Sequence, residues 1–185
     1  VEQQPTRCVI RTVADTSDSE FESILRRTYL LLKNMFEGLY VAMKSQEYSG
    51  IPTLRFLEKS NNKYTAFCKR VINRRGLSTK ASLTVYYCLV EELENLADEA
   101  RYVCLHFMAA DPQKVDSESL AMFKEIVDLY NLTYNLHYSF DFSAFAKLFD
   151  KKKELREKFR DQLNKKNVSN AVLLHHTRSI LELLS

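Results

Sequence analysis

Apolar residues recur every three or four positions over most of the chain, which is the spacing of one buried stripe along an α-helix. Six such segments can be distinguished. They run from near Ser17 to Met43, then over Pro52–Ile72, Thr79–Ala110, Glu118–Leu136, Phe142–Leu163 and Ser169–Ser185. The pattern therefore predicts an all-α fold, a six-helix bundle.

Local signals mark where several of these helices begin and end. Ser17 followed by Glu20 matches a capping box, in which each side chain satisfies a backbone N–H of the other. Pro52 suits a helix start, and Gly76 suits a helix end. The Asp111–Pro112 pair ends the third helix, because a residue before proline avoids the α conformation.

The helices divide near Asp111 into two sets of three, which suggests an internal repeat. Short connections make neighbouring helices antiparallel, so each set is expected to form an antiparallel three-helix unit. We predict a first unit over 17–110 and a second, C-terminally truncated unit over 113–185. An extended lead-in over 1–16 includes the β-branched, strand-like Cys8–Val13. Since the chain begins at Val1 rather than Met, this lead-in could be the tail of a missing N-terminal domain.

Composition narrows the class of protein. Three Gly and three Pro in 185 residues disfavour a β-sandwich or barrel, which need many turns. A net charge of +3 is a smaller basic excess than DNA-binding domains usually carry, so we expect no direct nucleic-acid binding by this region. The four Cys show no CxxC spacing, and neither a signal peptide nor a run of 18 apolar residues occurs. These features predict a cytoplasmic protein without a membrane span.

Common catalytic motifs are absent from the sequence. The sequence has no GxGxxG, no P-loop, no HExxH and no GxSxG. It also lacks the paired ExxH pattern of di-iron bundles. We therefore predict that the protein is not an enzyme, with a metalloenzyme of the helical-bundle type as the remaining catalytic alternative.

The most specific polar pattern lies in the third helix. Glu94 and Asp98 are four residues apart and share one helix face, and the neighbouring turns are heavily apolar. Two partly buried carboxylates side by side favour a cation between them, which could be Arg, Lys or a metal ion. The alternative is that both are ordinary solvated residues of a Glu-rich helix.

Other residues could complete such a site. On the second helix Glu58 and Asn62 are again four apart and could face the same cation. Possible counterparts in the second unit are Asp150, Glu154 and His176. Oxygen ligands suit a divalent ion or iron, and histidine widens that choice, so the identity of the ion stays open.

Several of these segments resemble a known family. The run Tyr87–Glu99 is similar to the PhoU helix whose core is L-E-x-[IL]-[AG]-D. Glu20–Arg27, and Leu57–Lys63 with Phe67–Arg70, resemble its archaeal branch, in which a PhoU region follows an N-terminal AbrB-type swapped hairpin. The resemblance covers roughly residues 8–185, but in the second unit Leu174–Ile180 has His and apolar residues where the acidic motif is expected.

The resemblance implies a cytosolic, usually dimeric regulator of phosphate uptake that repeats a three-helix unit. Such a protein acts on a phosphate transporter component or a signalling protein, and several members hold metal ions on E/D-x-x-x-D faces. Glu94 and Asp98 match that face directly, whereas Asn62 replaces the second carboxylate beside Glu58. The alternative function is the effector and dimerisation domain of an AbrB-type transcriptional regulator.

Overall fold

The computed structural model describes residues 2–4, 7–9, 18–75, 83–109, 114–163 and 170–184. These residues form an all-α bundle of six helices preceded by a short hairpin, so the predicted fold class is confirmed. The helices are α1 (Asp18–Ser45), α2 (Ile51–Arg75), α3 (Leu83–Met108), α4 (Ser117–Tyr138), α5 (Phe142–Leu163) and α6 (Ala171–Leu183). In the hairpin, β1 (Glu2–Gln4) pairs antiparallel with β2 (Arg7–Val9).

α5 has its predicted bounds, Phe142–Leu163, whereas other helix ends differ from their predicted positions by a few residues. α2 continues to Arg75 beyond its apolar stripe, and α4 extends to Tyr138, so that His137 lies in its last turn. Some predicted signals lie outside the described residues: Ser17 of the capping box, Gly76, the Asp111–Pro112 break, the helix starts at Thr79 and Ser169, and the part of the predicted strand after Val9.

Helix α1 lies at the centre of the core. It contacts α2, α3 and α4, and its apolar stripe is buried along the whole length of the helix. The stripe consists of Phe21, Leu25, Tyr29, Leu32, Met35, Phe36, Leu39 and Met43. Since burying one such side chain contributes roughly 1.5–3 kcal/mol, this helix supplies a large share of the stabilisation of the fold.

The turn after α1 brings α2 back along it. Gln46 has a φ of 60°, and Glu47 N donates to Ala42 O at 3.2 Å, which is the pattern of a helix closed by a left-handed residue. Gly38 then allows a close approach, because a Cβ atom at this position would lie 2.6 Å from Cδ2 of Leu54. The two helices therefore pack closely next to a short connection.

By their contacts the helices form a first trio (α1–α3) and a second trio (α4–α6). Within each trio every helix contacts the other two, and the trios meet through α1 with α4 and α3 with α6. Thr65 and Lys69 of α2 face Glu94 and Glu91 of α3 in reverse order, so these two helices run antiparallel. The repeat relationship between the trios, and the predicted unit boundaries, stay predictions.

Asn170 fixes the start of the second trio. Its side-chain oxygen accepts from Asp116 N at 3.0 Å, and its amide nitrogen donates to Lys114 O at 3.3 Å. Asp116 in turn caps α4 by accepting from the backbone N–H groups of Glu118 and Ser119. One buried amide therefore holds the beginnings of α4 and α6 together.

The contact between α1 and α4 contains a buried hydrogen bond. The Tyr130 hydroxyl donates to the backbone oxygen of Tyr29 at 2.7 Å. Burial raises the pKa of Tyr130 far above its ordinary value, so the phenol stays protonated and remains a donor. Phe36 packs edge-on against the same ring, with centroids 5.1 Å apart.

Tyr130→Phe should lower the free energy of unfolding by about 1 kcal/mol, because it removes this hydrogen bond and leaves the ring packing unchanged. Urea unfolding followed by circular dichroism measures the change. The control is Tyr134→Phe in the same aromatic cluster, since the Tyr134 hydroxyl has no hydrogen-bond partner among the described residues. Equal losses in both variants would contradict a special role for the Tyr130 hydroxyl.

Candidate functional site

A lysine from α2 neutralises the acidic face of α3. Lys69 Nζ lies 2.8 Å from Glu94 Oε2 and 2.9 Å from Glu91 Oε1. Thr65, one turn earlier on α2, donates its hydroxyl to the same Glu94 oxygen at 2.9 Å. Glu94 is therefore held by two side chains of the neighbouring helix.

The ion pairs keep Lys69 charged. Burial by itself would lower the pKa of its ammonium group, but the hydrogen bonds and charges of Glu94 and Glu91 outweigh this, and the pKa is raised. The sequence allowed Arg, Lys or a metal ion as the cation beside Glu94. In the structure this cation is the ammonium group of Lys69.

Asp98 has a different partner. Its Oδ1 lies 3.3 Å from Nε of Arg101 on the same helix, and the Arg101 guanidinium lies 4.3 Å from the ring centroid of Tyr102. Burial would lower the pKa of Arg101, but its contacts with Tyr102 and Asp98 raise it. Glu94 and Asp98 thus share a helix face, as expected, but each is paired with its own cation.

Glu58 and Asn62 bond to each other within α2. The Asn62 amide nitrogen donates to Glu58 Oε1, and among the described residues neither side chain is bonded to a side chain of α3. The neighbouring Asn61 is fully buried, and neither atom of its amide has a hydrogen-bond partner among the described residues. The Asn61–Asn62 pair, unusual inside a helix, therefore makes no cross-helix hydrogen bond with the described residues.

These partners bear on the predicted metal site. Among the described residues, no three His, Cys, Asp or Glu side chains come together in a way that could hold a metal ion. The ammonium of Lys69 also lies where an ion bridging Glu91 and Glu94 would bind. A metal ion that bridges Glu91 and Glu94 would therefore have to displace Lys69, and the predicted metal site at Glu94 and Asp98 stays a prediction.

His176 of α6 meets the other side of the acidic run. Its Nδ1 lies 2.7 Å from Glu99 Oε2, and Tyr102 stacks on the imidazole with centroids 5.3 Å apart and ring planes at 15°. Both Glu99 and His176 are partly buried, so this contact joins the first trio to the second.

A groove of ≈520 Å³ lies beside this contact, between α3 and α6. Its walls carry carboxylates, a guanidinium, an imidazole, an amide and hydroxyls. The lining residues are Asn95, Asp98, Glu99, Tyr102, His175, Arg178, Ser179, Glu182 and Leu183. Glu182 is also held by Arg156 of α5, whose Nε lies 3.1 Å from both carboxylate oxygens.

A further histidine lies near the groove. The pKa of His106 on α3 is lowered, first by burial and then by the charge of His176. Its ring packs edge-on against Phe107. Protonation of His106 is therefore less favourable in the folded chain than in the unfolded chain.

The other predicted counterparts lie elsewhere. Asp150 and Glu154 are exposed on α5, and Glu154 pairs with Lys151 and Lys158. Both lysines also bind Glu125 of α4, so this network joins α4 to α5. Of the predicted counterparts in the second unit, only His176 contacts the acidic run of α3.

Sequence reasoning missed Lys69, Thr65 and Glu99 as members of these sites. Thr65 and Lys69 are four apart on one face of α2, and that spacing could have suggested a second polar stripe. Glu99 could not be singled out, because it becomes distinct from its acidic neighbours only where α6 packs on α3.

Comparison of the chain with family models, with curated proteins and with solved structures gives no match. The resemblance to PhoU proteins therefore rests on the quoted segments alone and stays a prediction. Across the described residues, no helix combines the length and the apolar character needed to span a membrane.

Lys69→Met should create a divalent-cation site, because it removes the ammonium that now contacts the neighbouring carboxylates of Glu91 and Glu94 on α3. With Mn²⁺ at about ten times its Kd, we expect Tm to rise by roughly 3–6 °C in this variant and less in the wild type. The matched control is Lys63→Met, an exposed lysine of the same helix. Thermal unfolding with and without Mn²⁺ measures the effect.

The opposite result is equally informative. If untagged wild-type protein contains stoichiometric metal by elemental analysis, and Glu94→Ala loses it, then a metal ion binds at Glu94 although Lys69 is present, and the expectation that removal of Lys69 is needed to create the site is wrong.

His106→Gln should flatten the dependence of stability on pH between about pH 7.5 and 5.5. The folded-state pKa of His106 lies below its ordinary value of about 6.5, so the unfolded chain takes up the proton more readily and stability falls as pH falls. Urea unfolding at several pH values checks this, with the exposed His175→Gln as control. A slope that stays unchanged in His106→Gln would contradict it.

Proposed function

We propose that this chain is a non-enzymatic regulatory domain that binds a segment of a partner protein in the groove between α3 and α6. The observation that carries the proposal is the position of the groove. It lies at the contact between the two trios, and charged side chains of both signs line it. A partner bound there would touch both trios at once and could alter how they pack.

The chemistry of the groove favours a segment with a basic side chain. The lining of the groove includes three carboxylates, those of Asp98, Glu99 and Glu182, and the guanidinium of Arg178. Negative side chains therefore outnumber arginine in the groove. Asp98 and Glu182 are held in partly exposed ion pairs with Arg101 and Arg156 of the same protein. Because exposed ion pairs contribute only about 0–1 kcal/mol, a partner's lysine or arginine could replace them at little cost.

The resemblance to PhoU proteins supplies the physiological setting of the proposal. In that setting the domain regulates phosphate uptake or phosphate signalling, and its partner is a component of the phosphate transporter or a signalling protein. A metal ion at Glu94 and Asp98 would be a second regulatory signal that acts on α3. Asp98 lies on the helix face that carries Glu94 and also lines the groove, so metal binding and partner binding would involve the same residue.

A second candidate function is supported by the hairpin. The antiparallel pairing of Glu2–Gln4 with Arg7–Val9 places β-structure ahead of α1, as expected if this region follows an AbrB-type hairpin domain. The helices would then form the effector and dimerisation domain of a transcriptional regulator, and DNA contacts would belong to the hairpin domain.

The double variant Asp98→Asn, Glu99→Gln should bind the cytoplasmic components of the phosphate transporter from the same organism at least about tenfold more weakly than the wild type. These substitutions preserve side-chain size and remove two charges from the groove. Biolayer interferometry with purified components measures Kd, and Asp150→Asn, an exposed carboxylate on α5, is the control.

Three results would contradict the proposal: no binding by the wild type, equal binding by the double variant, or an equal loss in Asp150→Asn. Binding of operator DNA by a longer chain that includes the upstream region, with no binding to the transporter, would favour the transcriptional candidate instead.

A further inference from the structure

Four phenylalanines lie exposed around the start of α5. Phe140, Phe142, Phe145 and Phe149 are exposed by 59, 80, 39 and 59% of their surface. Their rings contact one another in sequence, with centroids 5.0 Å apart for Phe140–Phe142, 5.5 Å for Phe140–Phe145 and 4.9 Å for Phe145–Phe149. They therefore form one continuous apolar surface.

Three of these phenylalanines belong to the stripe of α5 that faces α6. Residues of this stripe recur at alternating spacings of three and four and so share one side of the helix: Phe142, Phe145, Phe149, Lys152 and Arg156. At its C-terminal end, Arg156 Nε lies 3.1 Å from both carboxylate oxygens of Glu182 on α6. Lys152, one turn earlier, is only 4% exposed. The exposed phenylalanines therefore continue a face that α6 covers further along α5.

The direction of α6 follows from the contacts of the other helices. α4 runs antiparallel to α1, because Tyr29 contacts His137 whereas Phe36 contacts Tyr130. Short connections reverse the chain at each step from α1 to α3 and from α4 to α6. α6 therefore runs antiparallel to both α3 and α5, and its C-terminal end points toward the first turns of each.

The phenylalanines are exposed because α6 ends before it reaches them. α6 has 13 residues and ends at Leu183, whereas α5 has 22. Arg156 is level with Glu182, so Phe149 lies about 10 Å beyond the end of α6 and Phe142 about 21 Å beyond, at a rise of 1.5 Å per residue. Leu148 in the same turns is only 7% exposed, and among the described helices α5 contacts only α4 and α6. The first turns of α5 are therefore packed on α4 and bare on the side of α6.

α3 shows the same change along its length. Glu99, whose Oε2 lies 2.7 Å from His176 of α6, is followed toward the start of α3 by Glu92 and Val85 at intervals of seven residues, so the three lie on one side of the helix. Val85 is 14 residues, or about 21 Å, from Glu99. It lies beyond the end of α6 and is 63% exposed. Apolar side chains of two helices are thus uncovered at the same end of α6.

These surfaces form a trough in line with α6. Because α6 packs on α3, α4 and α5, a helix that continued its axis would contact the same three helices. We call this surface the α6 trough and define it by Val85 on one wall and Phe142, Phe145 and Phe149 on the other. Since the two walls are the spacing of one helix apart, the trough fits a helix better than a flat surface.

We propose that the α6 trough binds an amphipathic helix of a partner protein, placed end to end with α6. Apolar residues of that helix at three- and four-residue spacing pack between Val85 and the phenylalanines. The positive N-terminal end of its dipole meets the C-terminal end of α6. This site is separate from the polar groove beside α6 and does not depend on the function proposed for that groove.

Glu92 specifies the charge of the partner helix. It lies between Glu99 and Val85 on α3, at about the level where α6 ends. Its Oε2 is buried and has no hydrogen-bond partner among the described residues. A buried carboxylate oxygen without a partner is costly, and a cation beside it removes that cost. The partner helix therefore carries a lysine or arginine in its first turn.

A labelled peptide tests the proposal. The probe is a fluorescein-labelled peptide of about 16 residues, enough to span roughly 21 Å as a helix. It has Leu at three- and four-residue spacing on one face, Lys in its first turn, and Ala and Gln elsewhere. Fluorescence anisotropy measures its Kd for the full chain, which we expect in the micromolar range. Phe149→Asp and Val85→Asp should each raise Kd at least about tenfold, because each places a charge against the apolar face of the peptide.

Matched controls separate the trough from general stickiness. Phe56→Asp changes a phenylalanine of α2 that is 63% exposed, and it should bind the peptide like the wild type. A peptide of the same composition with its Leu residues spread around the helix should bind at least about tenfold more weakly. Phe149 and Val85 are exposed, so circular dichroism and urea unfolding should show an intact fold in both variants.

A charge exchange tests the role of Glu92. Replacing the Lys of the peptide by Glu should weaken binding to the wild type about fivefold, because two carboxylates then face each other. In Glu92→Gln the two peptides should bind equally. A preference for Lys that persists in Glu92→Gln would contradict this placement of the peptide.

Several outcomes would overturn the proposal. Absence of binding at about 200 µM peptide, or wild-type binding by Phe149→Asp, excludes the trough as the site. Loss in Phe149→Asp without loss in Val85→Asp places the peptide on α5 alone. Binding to phosphatidylglycerol vesicles that is lost in Phe149→Asp and unchanged in Val85→Asp would assign the phenylalanines to a membrane surface. Loss of peptide binding in a longer polypeptide that continues past Ser185 would assign the trough to a helix of that polypeptide.

Discussion

Burial of the apolar stripe of α1 is the constraint on which the rest of the bundle depends. This helix contacts α2, α3 and α4, so three helices must cover one stripe at the same time. Two features make this close packing possible: Gly38 admits α2, and the hydroxyl of Tyr130 on α4 reaches the backbone of Tyr29. Because α1 belongs to the first trio and α4 to the second, the same stripe also fixes how the trios meet.

Around this core, ion pairs join neighbouring helices at particular positions along the helix axes. Lys69 connects α2 to α3, Lys158 connects α5 to α4, and Arg156 connects α5 to α6. Apolar packing is tolerant of small shifts along a helix, whereas each of these ion pairs forms at one position along the two helices, so together they favour one register although an exposed pair contributes only about 0–1 kcal/mol. The acidic run of α3 thus contributes to the fold as well as to the proposed site.

The groove and a cluster of exposed phenylalanines lie on different parts of the molecule. The groove is formed by α3 and α6 where the trios meet, and Phe142, Phe145 and Phe149 are on α5 of the second trio. α6 lies between these two regions, since it forms one wall of the groove and also packs on α5.

The positions of the helices follow from the amino-acid pattern alone, because apolar residues at three- and four-residue spacing bury one stripe whatever the tertiary arrangement. The pattern also placed Glu94 and Asp98 on one face, since that spacing is a property of the helix alone. Only the tertiary structure decided that Lys69 neutralises Glu94, that His176 meets Glu99, and that Asp150 and Glu154 lie elsewhere. Which side chains become partners across two helices depends on which faces pack together and on the register of the helices along their axes. Many pairings of similar apolar stripes bury a similar apolar area. The order of residues along the chain therefore does not determine which pairing forms.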